Sequence, residues 1–577
     1  MRPVLVVLAF LLAVPAYGQE APLPPEGASG VTAKQAVTAK DWMVVAANPL
    51  ATEAGAEILR AGGNAVDAMV AVQLVLGLVE PQSSGLGGGA FLVYWDAKEK
   101  KLTTFDGRET APSEATPTLF QDAQGQPLKF NDAVIGGRSV GTPGTPRLLD
   151  TVQRRYGALP WARAFQTAIR LADEGFQVSP RLATLIAAEG DLLKRYPETA
   201  RTFFDASGAP LPAGALLRNP AYAETLRTLA RDGADAFYSG PIAKDIVAAV
   251  RTAPGNPGLL SLDDLRTYRV KERDPVCTPY RAREICGMGP PSSGALALGQ
   301  ILGLVERFDL TRLGAASPEA WQIIADASRL AFADRERYMA DSDFVPMPVK
   351  GLVAPDYLAA RSAQLTPGTK LADAQPGNPK WTHARLWADG VSPEFAGTSH
   401  ITVVDRDRNV LSMTTTIETG FGSRLMVRGF MLNNELTDFS FTTQKDGVPV
   451  ANRLEPGKRP RSSMAPTIVL KDGSPELALG SPGGSQIIGY VAKSLIAYLD
   501  WGMDIQSAIA LPNLLNRFGT MEIEKSTGAE ALAPAFRAMG YEVKIGDMTS
   551  GLHGVVIAPD QLTGGADPRR EGVAIGN

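Results

Sequence analysis

The stretch GTSHITVVD (397–405), the turn RDRN (406–409) and the stretch VLSMTTTI (410–417) decide how this chain folds. Both flanks are rich in β-branched residues and meet at polar turn formers, the pattern of an antiparallel hairpin. Pairing across that turn sets Thr398 against Thr416 or its neighbour Ile417, within cross-strand contact distance. Thr414, Thr416 and Glu418 then share one face by the strand period of two. Upstream, TPGTKLADAQPGNPKW and the rest of 366–397 have little periodicity and many turn formers. That stretch reads as an exposed, mobile linker, where chain cleavage is tolerated.

A linker ending in Gly397-Thr398 has a chemical reading. A threonine hydroxyl is a poor nucleophile unless a base takes its proton. At a chain N-terminus its own α-amine, with a pKa of roughly 7.7 to 8, supplies that base, whereas a lysine near 10.4 stays protonated. Gly397 has no Cβ, so the peptide before Thr398 can be held in a conformation that the Thr398 hydroxyl attacks. Taken alone, a Gly-Thr pair and a threonine-rich strand fit an ordinary hairpin better.

Further along, GFMLNNEL, PTIVLKDG and PELALGS are short strand candidates, and SQIIGYVAKSLIAYLDWG (485–502) is a helix entered from SPGG. In the first half, TEAGAEILRAGG (52–63) is a helix stopped by two glycines. Asn64 caps a second, largely apolar and therefore buried helix, AVDAMVAVQLVLGLV (65–79). Two strands, AFLVYW and KLTTFD, follow the glycine-rich EPQSSGLGGG (80–89). A nucleotide-binding reading of GLGGGA fails on order, because it follows a helix and precedes a strand. The segment 318–339 is an amphipathic helix whose DRER charges are expected to face solvent. Strands followed by helices in both halves suggest stacked α and β layers around one core.

Composition narrows the class. With 45% hydrophobic and 20% charged residues, the 577-residue chain can build a core without metals or disulfides. A net charge of −4 and the lack of basic tracts point away from nucleic acid. Arg2, the apolar run Val4–Val14 and Ala16-Tyr17-Gly18 read as a signal peptide over 1–18, the run being too short to be expected as a membrane anchor. Residues 19–37 read as a flexible leader. The two cysteines, Cys277 and Cys286, either close a hairpin as a disulfide or remain two buried thiols. His383, His400 and His553 are scattered without an H-E-x-x-H pattern, which disfavours zinc hydrolysis.

Several motifs occur in a fixed order: SGLGGGAFLV and DGRETAP, then GTSHITVVD, TTIETGFG, MLNNELTDFS, KRPRSSMAPT, GSPGGS and ADPRREG. Together they resemble the γ-glutamyltransferase (glutathione hydrolase) family from about residue 38 to the C-terminal region. The resemblance implies an N-terminal-nucleophile hydrolase fold, an α+β four-layer αββα sandwich. It implies one precursor cut at Gly397-Thr398 into a large subunit, 38–397, and a small catalytic subunit, 398–577, which stay together as a heterodimer. It also implies that Thr398 is the nucleophile of both self-processing and catalysis, that Thr416 bonds the freed α-amine, and that Gly483 and Gly484 supply oxyanion donors. Arg108, Ser462 and Ser463 would hold the α-carboxylate of a γ-glutamyl group; Glu418, Glu435 and Asp438 would hold its ammonium.

On this reading the enzyme needs no cofactor or metal. It takes glutathione and other γ-glutamyl compounds, transfers the acyl group to water, an amino acid or a dipeptide, and is periplasmic or secreted, with no membrane anchor once the signal is removed. Glu418 stands where many members carry asparagine. The segment 439–461 is short and contains no tyrosine, so an open, lidless site that favours hydrolysis is expected. A related cephalosporin or glutaryl acylase is the neighbouring alternative, and a non-catalytic periplasmic binding protein for glutamyl compounds is the distant one.

Overall fold

A computed structural model describes residues 30–382, 386–390, 392 and 397–577. The expected signal peptide and His383 lie outside these residues.

The first half supplies β1 (Val37–Ala39), β2 (Met43–Ala46), α1 (Pro49–Arg60), α2 (Ala65–Val79), β3 (Gly89–Asp96) and β4 (Lys101–Gly107). Asn64 caps α2 by accepting from Val66 and Asp67 N–H, and the Asp67 carboxylate accepts from Asn64 N–H, a reciprocal capping box. A largely helical excursion leads to β5 (Lys271–Arg273), β6 (Val276–Tyr280), β7 (Arg283–Gly287), α3 (Gly294–Val305) and α4 (Pro318–Tyr338).

After the linker come β8 (Thr398–Val404), β9 (Val410–Thr416), β10 (Thr467–Lys471), β11 (Ser474–Gly480) and α5 (Ile487–Leu499). The last strands are β12 (His553–Ile557), β13 (Leu562–Ala566) and β14 (Val573–Gly576). The helix expected over 485–502 stops at Leu499, where Gly502 takes a positive φ and turns the chain away.

Two seven-stranded antiparallel sheets result, in the orders β14-β2-β8-β9-β3-β4-β5 and β1-β13-β12-β11-β10-β7-β6. Strand alternation sorts the side chains. Val45, Val93, Val404 and Val410 point between the sheets and meet Ile468, Ala478 and Val555 from the second sheet. Val44, Leu92, Val403 and Leu411 face outward against the wholly buried α2. Val469, Leu477 and Leu479 face the opposite way, against α3, α4 and α5. The order helix, sheet, sheet, helix is the four-layer sandwich implied by the resemblance. Residues from before and after Gly397-Thr398 share both sheets, so β8 and β9 are central strands flanked by β2 and β3.

Cys277 pairs with Cys286 across the β6–β7 hairpin, and the two are joined as a disulfide.

Three expectations need correction. Within the supposed leader, Thr32 N–H donates to Pro568 O at 2.9 Å, and Lys34 Nζ donates to the carbonyls of Asp567 and Arg570. An ammonium with its donors placed on carbonyl oxygens fixes this segment, and Val37 already belongs to β1.

The DRER charges do not all face solvent, since Asp334 and Arg335 are each 1% exposed. Asp334 accepts from Gln300, Tyr357 and the Gly377 N–H, so α4 buries a carboxylate by satisfying its oxygens. The same contacts hold the linker. Leu371 N–H bonds to Asp326, Gly377 to Asp334 and Gly390 to the Glu336 carbonyl, so its described residues are tethered rather than mobile.

Candidate active site

The β8–β9 register sets Thr398 opposite Thr416. On the other edge of β9, Thr416 pairs with Gly89, and the glycine-rich run serves this approach. A Cβ at Gly88 would lie 1.9 Å from Thr416 O, and one at Gly87 would lie 2.0 Å from Met431 O. The GLGGGA run therefore lets backbone press on backbone beside the hairpin. Gly397 is under the same constraint, because a Cβ there would come within 2.1 Å of Glu418 O.

The Thr416 hydroxyl stands at the centre of the unbroken junction. Thr416 Oγ1 donates to Gly397 O at 2.7 Å, accepts from Glu418 N–H at 2.8 Å and lies 3.3 Å from Thr398 Oγ1. One hydroxyl thus polarises the carbonyl before Thr398 and contacts the hydroxyl that would attack it. Glu418 itself sits at φ +81°, a conformation that suits asparagine better than glutamate, and is held by Asn434 Nδ2 donating to Oε2 at 2.7 Å.

The neighbouring cavity is lined by Arg108, Thr398, Thr416, Glu418, Glu435, Asp438, Ser462, Ser463, Met464, Gly484 and Ile487. Nine of the residues singled out in the sequence therefore converge on one site. Gly483 stands beside it, with φ +135°, in the turn before α5.

Arg108 follows β4 and is 1% exposed. Its guanidinium forms ion pairs with Glu435 and with Asp438, the latter at 2.5 Å, and donates to the Pro460 and Arg461 carbonyls. The surrounding carboxylates hold Arg108 firmly protonated despite its burial. Burial pushes the Glu435 carboxyl well above the usual range; Arg108 pulls it down, and Glu109 adds to the rise.

The cavity has a volume of about 20 Å³, room for about one water molecule. In the unbroken chain the site is narrow. Arg108 lines the space together with the carboxylates it pairs with, and Thr398 is still joined to Gly397. The linker also crosses the 449–461 segment: Ala388 N–H donates to Pro449 O, while Ser392 Oγ accepts from Asn452 and Arg461.

Sequence reasoning missed three residues here. Glu109, inside the quoted DGRETAP, is wholly buried, and burial pushes its carboxyl up to about 8 while Arg108 opposes the rise. Arg570, inside ADPRREG, donates to Thr398 O at 3.2 Å. Arg335 reaches Ser463 from α4 and carried no sequence signal beyond the charged run.

The family model described as gamma-glutamyltranspeptidase matches residues 51–577. A glutathione hydrolase proenzyme of Bacillus subtilis (strain 168) is 36% identical, over 97% of this chain and 95% of the relative. The acylase ACY 1 proenzyme of Pseudomonas sp. (strain SE83) is 34% identical, over 96% and 97%. The crystal structure of a cephalosporin acylase from Bacillus halodurans superposes with a TM-score of 0.83 at 26% identity, covering 98% of this chain and 99% of the other. With the family model spanning nearly the whole chain and an identity of this level over nearly the full length of a relative, this chain belongs to the gamma-glutamyltranspeptidase family.

Proposed function

We propose that this chain is the precursor of a secreted γ-glutamyltransferase and glutathione hydrolase that cuts itself between Gly397 and Thr398. The observation that carries the reading is the junction itself: Thr416 Oγ1 donates to Gly397 O and touches the Thr398 hydroxyl, beside a buried arginine flanked by carboxylates. Thr398 Oγ1 attacks the Gly397 carbonyl carbon, the Gly397–Thr398 C–N bond breaks, and the nitrogen takes up the hydroxyl proton. Water then hydrolyses the resulting ester. Gly397 is left as a carboxylate and Thr398 as a free amine, with subunits 38–397 and 398–577 interleaved through both sheets.

The new α-amine, near pH neutrality in its titration, serves as base for the same hydroxyl. Thr398 Oγ1 attacks the γ-carbonyl of the substrate, the turn Gly483-Gly484 offers N–H donors to the developing oxyanion, and the leaving amine departs with a proton. Water, an amino acid or a dipeptide amine takes the acyl group from the Thr398 ester. With no tyrosine in 439–461 to cover the site once the linker is released, water is the favoured acceptor.

The charge pattern supports a glutamyl rather than a glutaryl acyl group. In the unbroken chain Arg108 is ion-paired with both Glu435 and Asp438. An α-amino acid head group brings one charge of each sign, so it can replace both halves of that ion pair. A glutaryl group brings only a carboxylate and leaves buried carboxylates without a counter-charge, which is costly. The acylase relatives make this comparison the necessary one.

Mass analysis of wild type and Thr398→Ala, coupled to glutathione hydrolysis and to a comparison of γ-glutamyl with glutaryl anilides, tests the proposal. The expected result is cleavage before Thr398 in wild type alone and preference for the glutamyl anilide. A Thr398→Ala chain still cut at that bond, or an equal rate on glutaryl anilide, overturns it.

A further inference from the structure

We infer that Arg335, on α4, is a positioning residue that sets the hydroxyl of Ser463 as a donor for the α-carboxylate of the acyl group. The inference rests on the γ-glutamyl reading above and adds a residue to it.

Arg335 is buried and lies outside the cavity lining, so any effect on a bound group passes through Ser463, which does line it. Its three nitrogens go three ways. Nε donates to Ser293 Oγ at 2.8 Å, Nη2 to Ser463 Oγ at 2.8 Å and Nη1 to Glu336 Oε1 at 2.6 Å.

A guanidinium has donors and no acceptor. Ser463 Oγ must therefore accept from Arg335, and the Ser463 proton is directed to some other acceptor; a carboxylate in the cavity is one. Ser293 shows the same polarity completed, because it accepts from Arg335 and donates to Ser462 O at 2.7 Å. Ser462 Oγ likewise accepts, from the Met464 N–H at 3.1 Å, which leaves its proton as the hydroxyl's outgoing bond.

The backbone bearing the two serines is fixed from the same side. Ser462 N–H donates to Pro291 O at 3.0 Å, the Ser293 N–H donates to Ser462 O at 2.7 Å, and Ser292 Oγ donates to Met464 O at 2.6 Å. One arginine thus holds both the loop at 290–293 and a pocket hydroxyl. A lysine, with a single point of attachment, cannot span both serines.

The test uses the self-cleaved enzyme and two anilides that differ in one group: γ-glutamyl anilide, and 4-aminobutyryl anilide, which lacks only the α-carboxylate. Arg335→Met is expected to raise KM for the γ-glutamyl anilide by about tenfold or more, the scale of a lost hydrogen bond to a charged group. The 4-aminobutyryl anilide is expected to respond little, so the preference between the two collapses. Arg335→Lys, which can still reach Ser463, is expected to restore part of that preference and serves in place of Arg335→Met should the latter not fold. On a Ser463→Ala background Arg335→Met is expected to add no further loss of preference.

Equal loss on both anilides, or full additivity with Ser463→Ala, overturns the inference and leaves Arg335 a structural residue. A wild-type enzyme without preference for the γ-glutamyl over the 4-aminobutyryl anilide overturns the γ-glutamyl reading instead, so the two failures are told apart before any variant is made.

Discussion

Replacing Thr416 by alanine isolates the step that makes the enzyme. In the unbroken chain Thr416 Oγ1 is 2.7 Å from Gly397 O, inside the range in which a donor stabilises a developing oxyanion. Deleting one such donor typically costs about 2.7 to 4 kcal/mol of transition-state stabilisation, roughly a hundredfold to a thousandfold in rate. The same deletion leaves the buried Glu418 N–H without its acceptor, a stability cost of about 1 to 3 kcal/mol. The two effects separate experimentally. Self-cleavage is followed by mass analysis of freshly purified single chains over time, and stability by urea unfolding of Thr416→Ala against the uncleaved Thr398→Ala chain. Thr416→Ser keeps the oxygen and should cleave close to the wild-type rate. If a folded Thr416→Ala chain cleaves as fast as wild type, the hydroxyl is not polarising the scissile carbonyl and the reasoning fails.

Gly397→Ala should slow self-cleavage by about a hundredfold, the penalty for misplacing reacting atoms by about an ångström, because its Cβ would meet Glu418 O at 2.1 Å; wild-type cleavage kinetics by mass analysis would refute this. Replacing both Cys277 and Cys286 by serine should lower stability by roughly 2 to 3 kcal/mol through the lost loop constraint, with self-cleavage unchanged, because the hairpin ends the second sheet at its edge; urea unfolding on the Thr398→Ala background measures it. Glu109→Gln should change how stability depends on pH. The Glu109 carboxyl is raised to about 8 in the fold from an ordinary 4.5, so the folded chain holds a proton the unfolded chain has released. That contribution is full below the unfolded value and lost as pH rises through the folded one. The advantage of wild type over Glu109→Gln should therefore shrink between about pH 5 and about pH 8, and an advantage that grows over that window contradicts the assignment.

What the sequence made legible was local. Asn64 and the apolar run after it define α2 because a cap and a continuous burial signal act within one helix. The β8–β9 pairing follows from a short turn between two β-branched runs, which sets Thr398 against Thr416 or Ile417, and the structure fixes the partner as Thr416. The site residues came together through ordered motifs that implied a family. None of Arg108, Glu435 or Ser463 shows its purpose by spacing, since they lie hundreds of residues apart or on different segments and meet only through the sheets.

The failures share one cause. Local pattern makes the α4 charges solvent-facing and the linker loose, yet Asp334 and Arg335 are buried with distant partners: Asp334 the linker at Gly377, Arg335 the serine segment at Ser463. A buried charge is affordable only when its partners are in place, and those partners come from elements that no local pattern relates to α4. The unbroken linker follows the same logic. Ser392 is held by Asn452 and Arg461, Gly390 by the Glu336 carbonyl, and Glu336 by Arg335 and Arg461, so the chain just before the junction is fastened to the group that contacts Ser463. On the proposed mechanism, cutting at Gly397-Thr398 would free the end of that strip. The narrow cavity of about 20 Å³ is that of the uncut chain, and on the proposed mechanism the approach to Thr398 widens through the cut that Thr398 itself makes.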